Sequence, residues 1–206
     1  METVIAVGDI HGQLVQLATL LDYIEPRFCQ PNCNLVLLGD YIDRGPGSCN
    51  VIDRLIKWQE KHGNAVFLRG NHEQLLVVAL NGPPCIITPT RKVIPSYPMD
   101  MWLINGGYAT LESYGQITFL PPWDAVPQFH LTFIESTELE FRTDTHIFVH
   151  AGLLPTDEWW EGDPQNFDPR LWIRSPFINS EEDFGGIVVF GHTPQMCGKP
   201  LIQNNK

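Results

Sequence analysis

Long apolar runs are missing from this chain of 206 residues: none reaches the about 18 consecutive apolar positions a membrane-crossing helix needs. A basic, then apolar, then small-residue start of the secretory kind is missing too, so neither a membrane span nor export is expected. Basic residues are scarce, with 13 Lys and Arg against 24 Asp and Glu and a formal net charge of −11. A chain this acidic is not suited to neutralising a phosphate backbone, so nucleic acid is not an expected partner. The same acidity fits a protein whose carboxylates hold cations. The five cysteines (Cys29, Cys33, Cys49, Cys85, Cys197) are odd in number and scattered, and no second pair stands at zinc-site spacing. They read as reduced thiols in a cytoplasmic protein. Internal repeats and low-complexity segments are absent as well.

With 43% hydrophobic and 18% charged residues, the composition is that of a globular protein, and the length supports a single domain over 1–206. "TVIAVGD" (3–9) is a short β-branched run and reads as a buried strand. Leu14, Leu17, Ala18, Leu21 and Ile24 then mark one helical face, with Pro26 just beyond its end. "NLVLLGD" (34–40) repeats the strand. Residues 48–61 read as a helix opened by Ser48 as a cap, with Val51, Ile52, Leu55, Ile56 and Gln59 on one side. "AVFLRG" (65–70) is a third strand, followed by a helix to about Leu80. This alternation implies α/β architecture with a mostly parallel, buried sheet. Most of the 17 prolines lie between residues 81 and 176, and the alternation stops between 81 and 143. That region reads as a helical and loop-rich insertion lining a site, with two short helices around the Gly-Gly of "MDMWLINGGYATLESYG" (99–115). "THIFVHAG" (145–152) and "GIVVFGHT" (186–193) return to the strand pattern.

All five strands end alike: GDIHG (8–12), GDYIDRG (39–45), GNHE (70–73), HAG (150–152) and GHT (191–193). Each sets metal- or proton-handling side chains just past the last apolar position. The carboxyl ends of parallel strands share one edge, where ligands bind. Asp9, His11, Asp40, Asp43, Asn71, His72, His150 and His192 are therefore expected to converge. Crowded carboxylates need a cation, and oxygen donors mixed with imidazoles suit manganese, iron, zinc or cobalt better than calcium or magnesium alone. One aspartate can bridge two ions, and such a pair activates water and clamps a phosphoryl oxygen. Arg44, beside Asp43, suits a bidentate grip on phosphate. No cysteine sits in a phosphate-cradling loop, which argues against a cysteine nucleophile.

In this order the motifs resemble those of the calcineurin-like metallophosphoesterases, and more closely the short bacterial and phage-type members of the phosphoprotein phosphatase family, with signatures GDxHG, GDxxDRG and GNHE. "WLINGGYATLESYG" and "LWIR" (171–174) add to the likeness. The resemblance implies a sandwich of two β-sheets flanked by helices, with a two-metal site at the strand ends. It implies that Asp9, His11 and Asp40 hold one ion, that Asp40 bridges, and that Asn71, His150 and His192 complete the second. The ions expected are two divalent cations, manganese foremost and magnesium among the alternatives. By the same resemblance His72 is the general acid, Asp43 its partner, and Arg44, Arg174 and Asn71 contact the phosphate. Glu73 is expected to be a first-turn helix carboxylate rather than a ligand. His62, His130 and His146 are read as structural, and Trp102 and Trp159–Trp160 as packing.

The implied function is hydrolysis of phosphorylated Ser or Thr, and by extension Tyr, in a protein, a peptide or a small ester. Cleavage of dinucleoside polyphosphates is the alternative, and a phospho-binding scaffold the third reading. GNHE, where the nucleotide branch has GNHD, favours the first. Only fourteen residues follow His192, so the strands that normally close the second sheet are expected to be missing. An open sheet edge would result.

Overall fold

The computed structural model describes residues 3–28, 33–82, 85–87, 93–116, 126–158, 168–196, 198–203 and 206. Cys29, Cys197 and Trp159–Trp160 lie outside these. Two crossover units and a further helix build the first half: β1 (Thr3–Val7), α1 (Leu14–Phe28), β2 (Cys33–Leu37), α2 (Ser48–His62), β3 (Ala65–Phe67) and α3 (Asn71–Asn81). The strands pair in parallel in the order β1-β2-β3. A small hairpin, β4 (Cys85–Ile87) with β5 (Val93–Pro95), follows. Next come α4 (Tyr97–Trp102), a wide turn over Leu103–Gly107, α5 (Tyr108–Ser113) and α6 (Gln128–Glu135). The second sheet is β6 (Glu140–Arg142), β7 (His146–Val149) and β8 (Ile187–Val189), with α7 (Pro169–Trp172) and α8 (Ser175–Asn179) between the last two.

The strand-end motifs thus belong to two three-stranded sheets, not to the single open sheet that alternation alone suggested. In the second sheet β6 runs antiparallel to β7, and β7 parallel to β8. Side-chain alternation shows why two sheets form. On β2, Leu35 and Leu37 join the large core with Leu21, Ile52, Leu55 and Leu76 of the first three helices, while Val36 faces the other way. Val36, Leu38 and Leu68 meet Phe148 of β7 between the sheets. Ile147 and Val149, on the opposite face of β7, pack against Ile173 and Phe177 beside α7 and α8. Every one of these side chains is buried, each worth about 1.5–3 kcal/mol.

Two local expectations are corrected. Pro26 lies inside α1 rather than after it. It falls in the last turn, where a missing N–H orphans a single carbonyl, that of the exposed Asp22. Ser48 does not cap α2. Gly47 holds that position, and the buried Ser48 hydroxyl accepts the backbone N–H of Asp43 at 3.1 Å. Residues 199–203 form no strand, and β8 is an edge of its sheet.

Candidate metal and phosphate centre

The turns after the strands are strained where the chemistry lies. Among the described residues, the non-glycine residues with positive φ are His11 (43°), Asp40 (53°), Asp43 (69°), Arg44 (66°) and His192 (60°). All five carry a side chain singled out above. Left-handed backbone at such residues persists only where the surroundings enforce it, and it clusters at functional sites. Gly70 shows how tightly the loops meet: a Cβ there would collide with Asp40 Oδ1.

Asp40 is the centre of the cluster and is almost fully buried. Its Oδ1 accepts the backbone N–H of His72 at 3.1 Å. Its Oδ2 lies 3.5 Å from His11 Nε2, 3.4 Å from His150 Nε2 and 4.0 Å from His72 Nε2. Two groups share it: His11, Asp40 and His72 on one side, Asp40, His150 and His192 on the other. Asp9 joins through the backbone, its Oδ1 accepting the N–H of His192 at 3.1 Å. Asn71 joins through its Oδ1, 3.0 Å from His150 Nε2.

The tautomers are dictated by carbonyls. His11 Nδ1 faces the Ile42 carbonyl at 2.9 Å, and His150 Nδ1 faces that of Leu38 at 2.8 Å. Both Nδ1 atoms must donate, so each Nε2 is left as an acceptor: that of His11 takes an Arg44 N–H at 2.8 Å, and that of His150 points toward the Asp40 carboxylate. The second arrangement repels unless positive charge stands between lone pair and carboxylate. A proton on Nε2 meets the same need. Burial lowers the His150 pKa, but the Asp40 charge and hydrogen bond, helped by Asp9, lift it to about 9. Burial would raise Asp40, yet His150 and the other two imidazoles hold it well below the carboxylate range. His192 goes the other way: burial, then His150 and Arg174, push it down to about 3. It is neutral, and its buried Nε2 has no hydrogen-bond partner in the described structure. An orphaned imidazole nitrogen beside a shared carboxylate is a donor set that fits a divalent cation.

A second network lies beside the first. His72 Nδ1 donates to Asp43 Oδ2 at 2.7 Å, and both residues are fully buried. Burial opposes a charged His72, but the Asp43 hydrogen bond and the Asp40 and Asp43 charges outweigh it and raise its pKa. The Arg44 guanidinium donates to His11 Nε2 at 2.8 Å and to His72 Nε2 at 3.0 Å. Arg174 is exposed at the entrance to α8, and its charge is felt at His192.

Sequence reasoning missed several partners. Glu73, at the start of α3, is fully buried and binds four backbone N–H groups. Its Oε2 accepts Asp40 and Gly70, both at 2.9 Å, and its Oε1 accepts Tyr41 at 2.8 Å and Ile42 at 3.3 Å. Trp102 packs in the core, as read, but its Nε1–H also reaches both oxygens of Asp43 at 3.1 Å. Thr110 donates to Asp43 Oδ1 at 2.6 Å and accepts the Asp43 N–H at 2.9 Å. Nothing in the local sequence ties these residues to Asp43. His130 is structural, held between Tyr114 at 2.8 Å and Asp53 at 3.1 Å.

This sandwich and this pair of His/Asp groups define a metallophosphoesterase. The family model for calcineurin-like phosphoesterases matches residues 2–196, and the chain belongs to that family of metallophosphatases. It is 32% identical over 194 residues to "Serine/threonine-protein phosphatase 1" of Salmonella typhimurium, covering 91% of this chain and 77% of that one. A crystal structure of a protein provisionally named a diadenosine tetraphosphatase shares the fold. It has a TM-score of 0.53 and 21% identity, over 92% of this chain and 74% of that one. A Saccharomyces cerevisiae protein serine/threonine phosphatase is also similar, with a TM-score of 0.45 and 21% identity, over 76% of this chain and 39% of that one. Among the described residues no helix is long and apolar enough to cross a membrane.

Proposed function

We propose that the protein is a phosphomonoesterase acting on phosphoserine and phosphothreonine in proteins or peptides. The observation that carries this reading is the buried His72–Asp43 pair set against two His/Asp groups that share Asp40. Asp9, His11 and Asp40 would hold one divalent ion, and Asp40, Asn71, His150 and His192 the other, with manganese the expected metal. Bound there, the ions supply Lewis acidity and a water of lowered pKa.

The rest is done by the chain's own groups. Arg44 and Arg174 grip phosphate oxygens, and Asn71 assists. As phosphate draws the Arg44 guanidinium away, His72 Nε2 is freed to carry a proton to the leaving alkoxide. Asp43 Oδ2 keeps the ring in place from the other side. Water displaces the alcohol directly, giving inorganic phosphate with no phosphoenzyme. The 32% identity to a bacterial Ser/Thr phosphatase supports this substrate class.

The test is phosphate release with added Mn²⁺ and with a chelator, from a phosphoserine peptide and from diadenosine tetraphosphate. Metal-dependent turnover of the peptide is expected. Turnover of the dinucleotide alone moves the same residues to nucleotide cleavage, and no turnover of either with metal bound favours a phospho-binding scaffold.

A further inference from the structure

Asp43 is the member of the site whose surroundings are hardest to explain by packing alone. It is fully buried, and its backbone is left-handed with φ 69°. A buried carboxylate is costly unless its lone pairs are met, and here they are met on both oxygens. Oδ1 receives the Thr110 hydroxyl at 2.6 Å and the Trp102 indole N–H at 3.1 Å. Oδ2 receives His72 Nδ1–H at 2.7 Å and the same indole N–H at 3.1 Å. The main chain is held too, the Asp43 N–H reaching Thr110 Oγ1 at 2.9 Å and Ser48 Oγ at 3.1 Å. Ser48 and Thr110 are joined at 3.0 Å. Thr110, Trp102 and Ser48 are themselves almost completely buried. A second contact from the same segment, Arg44 N–H to the Gly106 carbonyl at 3.3 Å, pins the next residue of the turn.

We infer that Thr110 and Trp102 are positioning residues that act through Asp43 to aim His72 at the leaving group. The inference rests on the reading of His72 as general acid. Thr110 occupies Oδ1 and so leaves Oδ2 to the imidazole, while also holding the strained backbone beneath it. Trp102 spans both oxygens and sets the plane of the carboxylate. Without them the carboxylate can turn about χ2, and the imidazole that depends on it loses its fixed direction. Neither residue lies within the five strand-end motifs. The segment 97–113 therefore supplies the orientation, and the motifs supply the reacting groups.

The experiment compares Thr110→Val, Thr110→Ser, Trp102→Phe and His72→Asn with the parent protein, all loaded with Mn²⁺, on phenyl phosphate and p-nitrophenyl phosphate. Phenolate is the poorer leaving group and needs the proton more. Thr110→Val and Trp102→Phe are expected to lose about 10- to 100-fold in kcat on phenyl phosphate, as outer partners of a site typically do. They lose much less on p-nitrophenyl phosphate, with KM and bound Mn²⁺ unchanged. Thr110→Ser keeps the parent activity, because it retains the hydroxyl without the methyl. Equal losses on both esters, or a loss in Thr110→Ser as large as in Thr110→Val, overturn the inference. If His72→Asn discriminates between the esters and neither Thr110→Val nor Trp102→Phe does, this inference alone falls. If His72→Asn loses both equally, the general-acid reading falls and takes this one with it.

Discussion

Replacing Glu73 by glutamine changes one atom and tests how the site is held. The carboxylate is fully buried and accepts four backbone N–H groups, two on each oxygen. Three of the four donors are Asp40, Tyr41 and Ile42, the turn that places the shared carboxylate. Glutamine has nearly the same shape, so packing is held constant. Only one of its two terminal atoms accepts, and whichever way the amide turns, two N–H groups face an NH₂. At about 1–3 kcal/mol for each buried donor left unmet, the loss is about 2–6 kcal/mol. That is a large part of the 5–15 kcal/mol or so that holds a domain folded. With a urea dependence of about 2 kcal/mol per molar, the unfolding midpoint falls by about 1–3 M at unchanged slope. A midpoint within about 0.3 M of the parent refutes the reasoning. It would mean that Glu73 is protonated in the fold, so that glutamine imitates it. The pressure in that direction is real: burial, then the Asp40 charge, pushes Glu73 up to about 7.

Other outcomes are checkable directly. Asp40→Asn removes the charge shared by the two His/Asp groups, and metal analysis is expected to find fewer than two ions per chain; full occupancy of both sites contradicts the bridging role. Asp168 feels burial upward, but its bonds to Arg170, at 2.9 Å from Nε and 2.6 Å from Nη2, outweigh it and lower its pKa. Its stabilising contribution is therefore complete above the ordinary carboxylate pKa of about 3.9 and lost as pH falls through the lower folded value. Asp168→Asn should melt below the parent at pH 7 and converge with it in strong acid, as read by thermal unfolding across pH. A gap that stays constant to the lowest pH refutes the linkage.

Much of the chemistry was legible because it is local. Each side chain of the cluster around Asp40 stands within a few residues of a strand's end, and glycines mark the turns that let Asp40 and Gly70 meet. A β-branched run and the polar cluster after it are neighbours in the chain, so their juxtaposition needs no knowledge of the fold. The period-2 pattern also located the strands, but it does not say which faces oppose. Val36 and Phe148 lie between two sheets rather than within one, and only packing across the gap decides that.

By itself, then, the sequence determined the identity of the ligand-type side chains, the element each one follows and the acidity that favours cations. Tertiary structure alone decided how those groups are aimed. Trp102 and Thr110 lie 59 and 67 residues from Asp43, and Glu73 lies 32 residues from Tyr41. Hydrogen bonds of that span leave no periodic trace, because a tryptophan, a threonine or a helix-start glutamate reads equally well as ordinary core or cap. The tautomers of His11 and His150 are set by carbonyls of Ile42 and Leu38, backbone groups that every residue carries. Their directions exist only once the chain has folded.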